Sequence, residues 1–317
     1  MNRFRSILVA TDFSPAATHA VRRAALIASH HRARLSLLHV VDGDGCDALR
    51  RLFARDVDLP LKTAQTRASL ARLASEIVGR HGIDVDVAVT AGDAFEDITR
   101  ASASADLLVL GARRAGALRG RVVGGTAERL VRTCRTPVLV VKDERTHGSY
   151  RRILVPLDFT PCSPAALAIA AGLADDARVH AFHAREAGDS LAMHLPDVPL
   201  DTLRQVREME EEQARWRMHE MAARLRIAPG RVAASVGRGD AASAALREAL
   251  AVDADLVVAG KQGRSTLADF LLGSVTRQLL RQARCDVMVI PRAAVAAARG
   301  AHAARTGPAR PMHLHGA

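Results

Sequence analysis

Small residues near the end of the chain have a spacing that suits phosphate binding. The stretch GKQGRSTLADFLLGS, residues 260–274, carries Gly260, Gly263, Gly273 and Ser274. Glycine permits tight turns and positive φ, so backbone N–H groups can form a nest for anionic oxygen. A helix predicted over Val275–Gln282 would begin at the last two of these residues, and helix N-termini attract phosphate. Lys261 and Arg264 would add positive charge beside it.

A carboxylate could bind the other end of such a ligand. Asp158 follows the apolar run Ile153–Val155 and could accept a hydrogen bond from a ribose hydroxyl or an adenine amine. Alternatively, Asp158 could be the N-cap of the next helix. Thr160 or Ser163 suits that position better, and either would leave Asp158 free to bind a ligand. A small residue at the end of the run Ala181–Ala184 could face a flat ring.

These residues belong to the second of two similar halves. RSILVATDFS at 5–14 matches RRILVPLDFT at 151–160, and ADLLVLGARR at 105–114 matches ADLVVAGKQG at 254–263. His39 and His183 fall in register in a third block. Blocks that recur in the same order indicate duplication of a whole domain.

The apolar pattern of each half predicts alternating strands and helices. In the first half, short apolar runs mark five strands: Ile7–Ala10, Leu35–Val40, Val85–Val89, Leu107–Leu110 and Val138–Val141. Amphipathic stretches between them mark the helices, and continuous apolar runs are typical of strands covered on both faces. The predicted fold class is α/β, with two tandem doubly wound domains that each contain a five-stranded parallel sheet.

The domain prediction places unit one at residues 1–142 and unit two at residues 150–292, followed by a disordered tail at 293–317. We expect the units to pack face to face, with the last strand of each, Val138–Val141 and Val287–Ile290, as edges to be paired. Unit two also contains a long predicted helix, Leu200–Arg226. Its Met209, Trp216, Met218 and Met221 could form a ligand surface, but packing in a core or an interface is favoured.

Composition excludes several functional classes. The formal net charge is +11, but aromatic residues are only 3% and no dense basic run occurs, so nucleic acid is not an expected partner. No apolar run reaches the length of a membrane span. Four cysteines without a C-x-x-C pair suit a reduced, cytoplasmic protein, and no metal site is predicted.

The combination of G-x2-G-x9-G-[ST] after the fourth strand and D-F-[ST] after the first resembles the universal stress protein (UspA) family over residues 3–292. The resemblance implies a Rossmann-like sheet of the adenine nucleotide α-hydrolase-like type and pairing of two domains through their last strands. It also implies ATP, with or without Mg²⁺, as the ligand. By position, it implies these nucleotide-binding residues: Pro156, Leu157, Asp158, Ala184, Ala259, Gly260, Gln262, Gly263, Gly273, Ser274 and Val275.

Unit one departs from this pattern. Arg114 stands at the second glycine position, where a side chain would obstruct the approach of backbone to phosphate. Arg113 and Arg114 could instead bind an anion themselves. The weaker candidates in this unit are Asp12, Gly111, Gly124, Gly125 and Thr126. We therefore expect one nucleotide per chain, in unit two.

The function that these features predict is a tandem universal stress protein that binds adenine nucleotide as a sensor or regulator. No catalytic residue is predicted, because the glycine motif contains no histidine to act as a general base and the sequence shows no second acidic cluster for Mg²⁺. One alternative is an enzyme that slowly hydrolyses ATP or transfers adenylyl groups. Another is a nucleotide-free module for an unknown protein partner. The sequence leaves open whether two chains associate.

Overall fold

The computed structural model describes residues 4–42, 59–112, 125–142, 148–185, 199–261 and 272–293. Its strands are β1 (Ser6–Ala10), β2 (Arg34–Asp42), β3 (Val85–Gly92), β4 (Leu107–Gly111), β5 (Val138–Val141), β6 (Arg152–Pro156), β7 (Arg178–Arg185), β8 (Val232–Arg238), β9 (Leu256–Gly260) and β10 (Asp286–Ile290). Its helices are α1 (Pro15–His31), α2 (Leu59–His81), α3 (Ala94–Ser102), α4 (Gly125–Thr133), α5 (Cys162–Leu173), α6 (Leu200–Arg224), α7 (Ala241–Ala251) and α8 (Ser274–Gln282). The tail from residue 294 onward lies outside the described residues.

All ten strands form one sheet in the order β3-β2-β1-β4-β5-β10-β9-β6-β7-β8. Each unit contributes five parallel strands, which confirms the predicted fold class. The units meet where β5 and β10 pair antiparallel, with Val140 opposite Val287. The expected face-to-face packing is therefore wrong. Each last strand offers an unpaired row of backbone groups, and edge-to-edge pairing satisfies both rows while the sheet continues.

Helices cover both faces of this sheet. One apolar layer lies under α1, α2, α5 and α6, and the other lies under α3, α4, α7 and α8. The central strands β5 and β10 are buried throughout, and β4 is buried except at its last residue, Gly111, as their apolar runs predict. The edge strand β3 differs, because its residues alternate between half-buried and exposed through Val85–Val89. Full burial was wrongly expected there, since an edge strand has less cover. Within the described residues, no helix is long and apolar enough to cross a membrane.

An aspartate that recurs in both units ties the first strand to the fourth. Asp106 accepts hydrogen bonds from the backbone N–H groups of Arg5 and Ser6, at 2.7 and 3.1 Å. Asp255 accepts the equivalent bonds from residues 151 and 152, at 2.7 and 3.1 Å. Burial raises the pKa of the Asp255 carboxyl, and the two N–H donors oppose that rise. The repeated ADL block is thus explained by strand alignment.

A buried ionic cluster fixes the junction of the two units. Asp286 has no exposed surface, and its Oδ1 accepts the backbone N–H of Lys142 at 2.7 Å. Its Oδ2 accepts the hydroxyl of Tyr150 at 2.7 Å and lies 3.4 Å from Nε of Arg23. Arg23 also lies over the Tyr150 ring and donates to the carbonyl of Gly148 at 2.8 Å. One carboxylate therefore connects α1, the end of β5, the segment before β6 and the start of β10.

The same junction holds the last helix of unit two. The Lys142 ammonium donates to the carbonyl oxygens of Leu279 and Ala283, at 3.3 and 3.1 Å. These carbonyls lie at the C-terminal end of α8, where helix carbonyls lack intrahelical partners and a cation is favourable. Unit one therefore caps a helix of unit two.

Replacement of the junction carboxylate tests its contribution to stability. Asp286→Ala leaves Arg23 with a buried charge that has lost its counter-ion, so we expect the free energy of unfolding to fall by about 3 kcal/mol or more. Chemical denaturation measures this change. The control is Asp175→Ala, because that side chain is 72% exposed and lies 3.8 Å from His30 at the surface. A change within about 0.5 kcal/mol is expected for the control. Equal effects of the two variants would contradict the assignment.

The ionisation of Tyr150 gives a second test, because the chain contains a single tyrosine. Burial and the nearby Asp286 charge raise the pKa of Tyr150 well above its usual value of 10.0. The protonated phenol is favoured in the folded protein, so its contribution to stability is complete below pH 10.0 and is lost as the pH rises further. Phenolate absorbance should appear at higher pH in the native than in the unfolded protein. Coincident titration curves would show that Tyr150 is not buried beside a carboxylate.

Candidate functional site

The predicted site of unit two lies at the carboxyl edge of its parallel strands. β6 and β9 are neighbours, and the chain leaves β6 toward β7 on one side while β9 lies on the other. In open α/β sheets, ligands bind at such a point, where the strand order reverses. Pro156 ends β6 and Gly260 ends β9, so Leu157 and Asp158 follow the first strand at this edge.

Asp158 is held by its neighbours. Its Oδ1 accepts hydrogen bonds from the backbone N–H of Thr160 at 3.0 Å, from the Thr160 hydroxyl at 2.7 Å and from the Ser163 hydroxyl at 3.0 Å. The expectation that Asp158 is free while Thr160 or Ser163 caps the helix is wrong. The N-cap of α5 is Pro161 and has no side-chain bond, because both hydroxyls donate to the carboxylate instead. The carboxylate is therefore fixed in orientation.

Asp12, the counterpart in unit one, also accepts a hydrogen bond from the turn that follows it. Its Oδ1 accepts the backbone N–H of Ser14 at 3.0 Å. Ser14 uses its hydroxyl oxygen to cap α1, where it accepts the N–H of Ala17 at 3.2 Å. The two units therefore keep the carboxylate but distribute the nearby hydroxyl groups differently.

Hydrogen bonds join the end of β9 to the start of α8. The N–H of Gly273 donates to the carbonyl of Lys261 at 3.0 Å, and the Thr276 hydroxyl donates to the carbonyl of Gly260 at 2.7 Å. Gly273 is the N-cap of α8, as the sequence predicts, and it makes no side-chain capping bond. Ser274 and Val275 begin the helix, where the first N–H groups have no intrahelical acceptor. The helix N-terminus is thus fixed directly beside the strand end.

Gly260 and Lys261 differ from their predicted conformations. Gly260 is the last residue of β9 and pairs with Ile290, so it uses extended backbone and not a positive φ. Lys261 continues this ladder, because its N–H donates to the carbonyl of Ile290 at 2.8 Å. Lys261 is only 5% exposed, so the positive charge that the sequence predicts beside the phosphate site is buried. Burial raises the pKa of the Cys134 thiol in unit one, and the positive charge of Lys261 opposes that rise.

The remaining predicted residues differ in what they can offer a ligand. Leu157 and Ala259 are 4% and 3% exposed, so their side chains belong to the core and only their backbone groups could reach a nucleotide. Pro156, Ala184 and Val275 are half-buried at the same edge. Four further residues named in the sequence analysis lie outside the described residues: Gln262, Gly263, Arg264 and Gly124. Arg113 and Arg114 also lie there.

Unit one has an open cleft at its own carboxyl edge, with a volume of about 250 Å³. Its polar lining includes Thr11, Asp12, Ser14 and Thr126, and Gly125 begins α4 beside them. Its apolar lining includes Leu38, Val40, Ile98 and Leu110. Four of the five weaker candidates, Asp12, Gly111, Gly125 and Thr126, therefore lie around one cavity.

Gly111 has a structural explanation that does not involve a ligand. A Cβ at this position would lie 2.6 Å from the backbone C and O atoms of Ala16 and 2.8 Å from the N atom of Ala17. Real Cβ atoms do not approach backbone so closely, so the start of α1 can pack against β4 only if this residue is glycine. The match between Gly111 and Gly260 of unit two is therefore weak evidence for nucleotide binding in unit one.

A strained turn that the sequence patterns did not predict recurs in both units. Phe13 and Phe159, which follow the two aspartates, both have φ of 60°, a left-handed conformation that is uncommon for residues other than glycine. The Phe13 ring lies 5.1 Å from the His39 ring, and the Phe159 ring lies 4.6 Å from the His183 ring. The recurrence of D-F and of histidine in register was the available signal.

The two histidines support this turn. Nδ1 of His39 lies 2.7 Å from the carbonyl oxygen of Thr11, and Nδ1 of His183 lies 2.7 Å from that of Leu157. A carbonyl oxygen can only accept, so Nδ1 carries the proton in each ring. Each histidine therefore fixes the residue immediately before the aspartate.

Comparisons with known proteins agree with this architecture. The sequence profile of the universal stress protein family matches residues 3–142 and again residues 149–291. A universal stress protein of Mycolicibacterium smegmatis is 29% identical over 303 residues, which cover 90% of this chain and 96% of that protein. One from Mycobacterium tuberculosis is 28% identical over 310 residues, which cover 91% and 97%.

Solved structures show the same fold. A universal stress protein from Archaeoglobus fulgidus superposes with a TM-score of 0.65 at 19% identity, over 90% of this chain and 98% of that one. A Pseudomonas aeruginosa protein superposes with a TM-score of 0.65 at 22% identity, over 95% and 98%. With the family profile matched twice along the sequence, the chain belongs to the universal stress protein family and carries two of its domains in tandem.

Proposed function

We propose that this protein is an adenine-nucleotide-binding regulator that holds ATP in unit two. The observation that carries the proposal is the direct connection of Gly260 and Lys261 to Gly273 and Thr276. It fixes a helix N-terminus at the carboxyl edge of the sheet, where phosphate oxygens can accept backbone N–H groups. The glycine spacing of residues 260–274 supports the same site.

Asp158 would bind the nucleoside end of the ligand. Its carboxylate is fixed by hydrogen bonds from Thr160 and Ser163, so it needs no reorientation when a ribose hydroxyl or an adenine amine donates to it. Ala184 is half-buried on the neighbouring strand and would contact the adenine ring. The site would thus read the nucleoside through one fixed acceptor and the phosphates through backbone amides.

Binding without rapid hydrolysis is the favoured activity. The glycine motif contains no histidine, and its one carboxylate, Asp269, lies outside the described residues. Within the described residues, no group of three or more His, Cys, Asp or Glu could hold a metal ion. Mg²⁺ that accompanies ATP would then be held mainly by phosphate oxygens and water. The enzymatic alternative requires ATP turnover that is lost in Asp158→Asn. The interaction-module alternative requires that no adenine nucleotide binds.

Unit one is the second candidate for ligand binding, because its cleft of about 250 Å³ is lined by both polar and apolar groups. Arg114 in place of the second glycine opposes the approach of phosphate there. We therefore propose one ATP per chain, and the binding stoichiometry distinguishes this proposal from two equivalent sites.

The binding site is tested by titration calorimetry with ATP on the wild type and on Gly263→Arg. The new side chain would occupy the space that backbone must share with phosphate, so affinity should fall at least tenfold, about 1.4 kcal/mol. The matched control is Gly79→Arg in α2, where no atom lies within 4 Å of an added Cβ. The control should bind one ATP per chain with unchanged affinity. Equal affinities for Gly263→Arg and the wild type would disprove the site.

A further inference from the structure

The outer face of α6 presents two large apolar side chains to solvent. Met209 is 68% exposed and Trp216 is 62% exposed, more than the other large apolar residues noted in the described part of the chain. They are seven residues apart, so they lie on the same side of the helix. Ala214 and Met218 lie on the opposite side and are buried against the sheet. Core packing therefore accounts for Met218 but not for Met209 or Trp216.

Charge along α6 is divided at its middle. Four glutamates occupy positions 208, 210, 211 and 212, before the midpoint between Met209 and Trp216. Asp201, Arg204 and Arg207 also precede that midpoint, and Arg215, Arg217, Glu220 and Arg224 follow it. Residues 201–212 therefore carry a net charge of −3, from two basic and five acidic residues, and residues 213–224 carry +2, from three basic residues and one acidic residue. Glu210 and Glu211 pair with Arg185 and Arg238 of their own chain, whereas Glu208 and Glu212 are exposed. A second copy of α6 in the opposite direction would place its positive half beside these two exposed glutamates and its Trp216 beside this Met209. This arrangement is self-complementary, as a two-fold interface requires.

We propose that unit two contains a homodimerisation surface on α6, at which the helices of two chains pack antiparallel about a two-fold axis. Met209 contacts the partner's Trp216, and Trp216 contacts the partner's Met209. Glu212 lies beside the partner's Arg215, and the reverse contact is equivalent. The two helices meet along their centres, between residues 209 and 216.

The position of α6 leaves room for a second chain. The helix has 25 residues, which corresponds to a length of about 37 Å. It packs against β8, the last strand of the sheet, so a partner can approach from outside the ten-stranded body. Arg215 is paired with Glu211 of its own helix at 3.4 Å, but Arg238 donates to the same carboxylate at 2.7 Å, so the longer Arg215 contact is the weaker of the two and Arg215 can also bind a partner. A single-helix interface is small, so we expect reversible association that depends on concentration.

The duplicated helix of unit one lacks this pattern. In α2 the basic residues Lys62, Arg67, Arg72 and Arg80 are accompanied by one acid, Glu76. Two antiparallel copies of α2 would place positive charges opposite each other. The proposed surface is therefore a property of unit two alone, which limits association to a pair of chains.

The first experiment uses Trp216 as its own reporter, because it is the chain's single tryptophan. As the concentration of the full chain rises, the sedimentation mass should double and the tryptophan emission should shift to the blue. Met209→Glu should weaken association at least tenfold and remove the emission shift. The control Leu250→Glu replaces another large apolar residue, 59% exposed on α7, and should associate like the wild type.

The second experiment tests the antiparallel geometry. Glu212→Arg and Arg215→Glu should each weaken self-association at least tenfold, because each brings like charges together across the two-fold axis. An equimolar mixture of the two variants should form a heterodimer with affinity near that of the wild type, while both remain folded by circular dichroism. A mixture that stays monomeric would overturn the proposal. So would an emission shift without a doubled mass, which would show that α6 is covered by something other than a second copy.

Discussion

The antiparallel pairing of β5 with β10 is the constraint on which the rest of the structure depends. Both strands are buried along their whole length, so each needs a hydrogen-bonded neighbour on the side away from its own unit. Their pairing supplies that neighbour and, among the strands of the described residues, leaves β3 and β8 as the sheet edges. Asp286 reinforces the register, because its two oxygens bind groups from both units.

This pairing separates the two carboxyl edges. Because β5 and β10 run in opposite directions, the strands of unit one end at one edge of the sheet and those of unit two end at the other. The two sites therefore lie at opposite ends of the strands. Each unit nevertheless contributes one lysine that lies near the other unit. Lys142 caps the end of α8, and Lys261 is buried near Cys134 at the end of α4. The proposed phosphate helix thus depends on unit one for part of its support.

The duplicated halves keep what the backbone needs and differ where a ligand or a partner would bind. Asp106 and Asp255 make equivalent bonds, and Phe13 and Phe159 share the same strained conformation. The second glycine, by contrast, is Arg114 in unit one. The exposed faces of α2 and α6 also differ in their charges. Divergence of this kind is expected when packing limits change inside a domain but not at its surface.

The sequence by itself determined the repeat, the α/β alternation, the two last strands as edges and the start of α8, because hydrophobic periodicity and glycine positions are local signals. It also predicted Asp158 as a nucleotide-binding residue. Only the tertiary structure decided that the units join edge to edge, that Asp158 is held by Thr160 and Ser163, and that Lys261 is buried. The physical reason is the same in each case: burial and hydrogen-bond partners depend on residues that are distant in the sequence or on competition between neighbours, and no local pattern encodes which contact prevails.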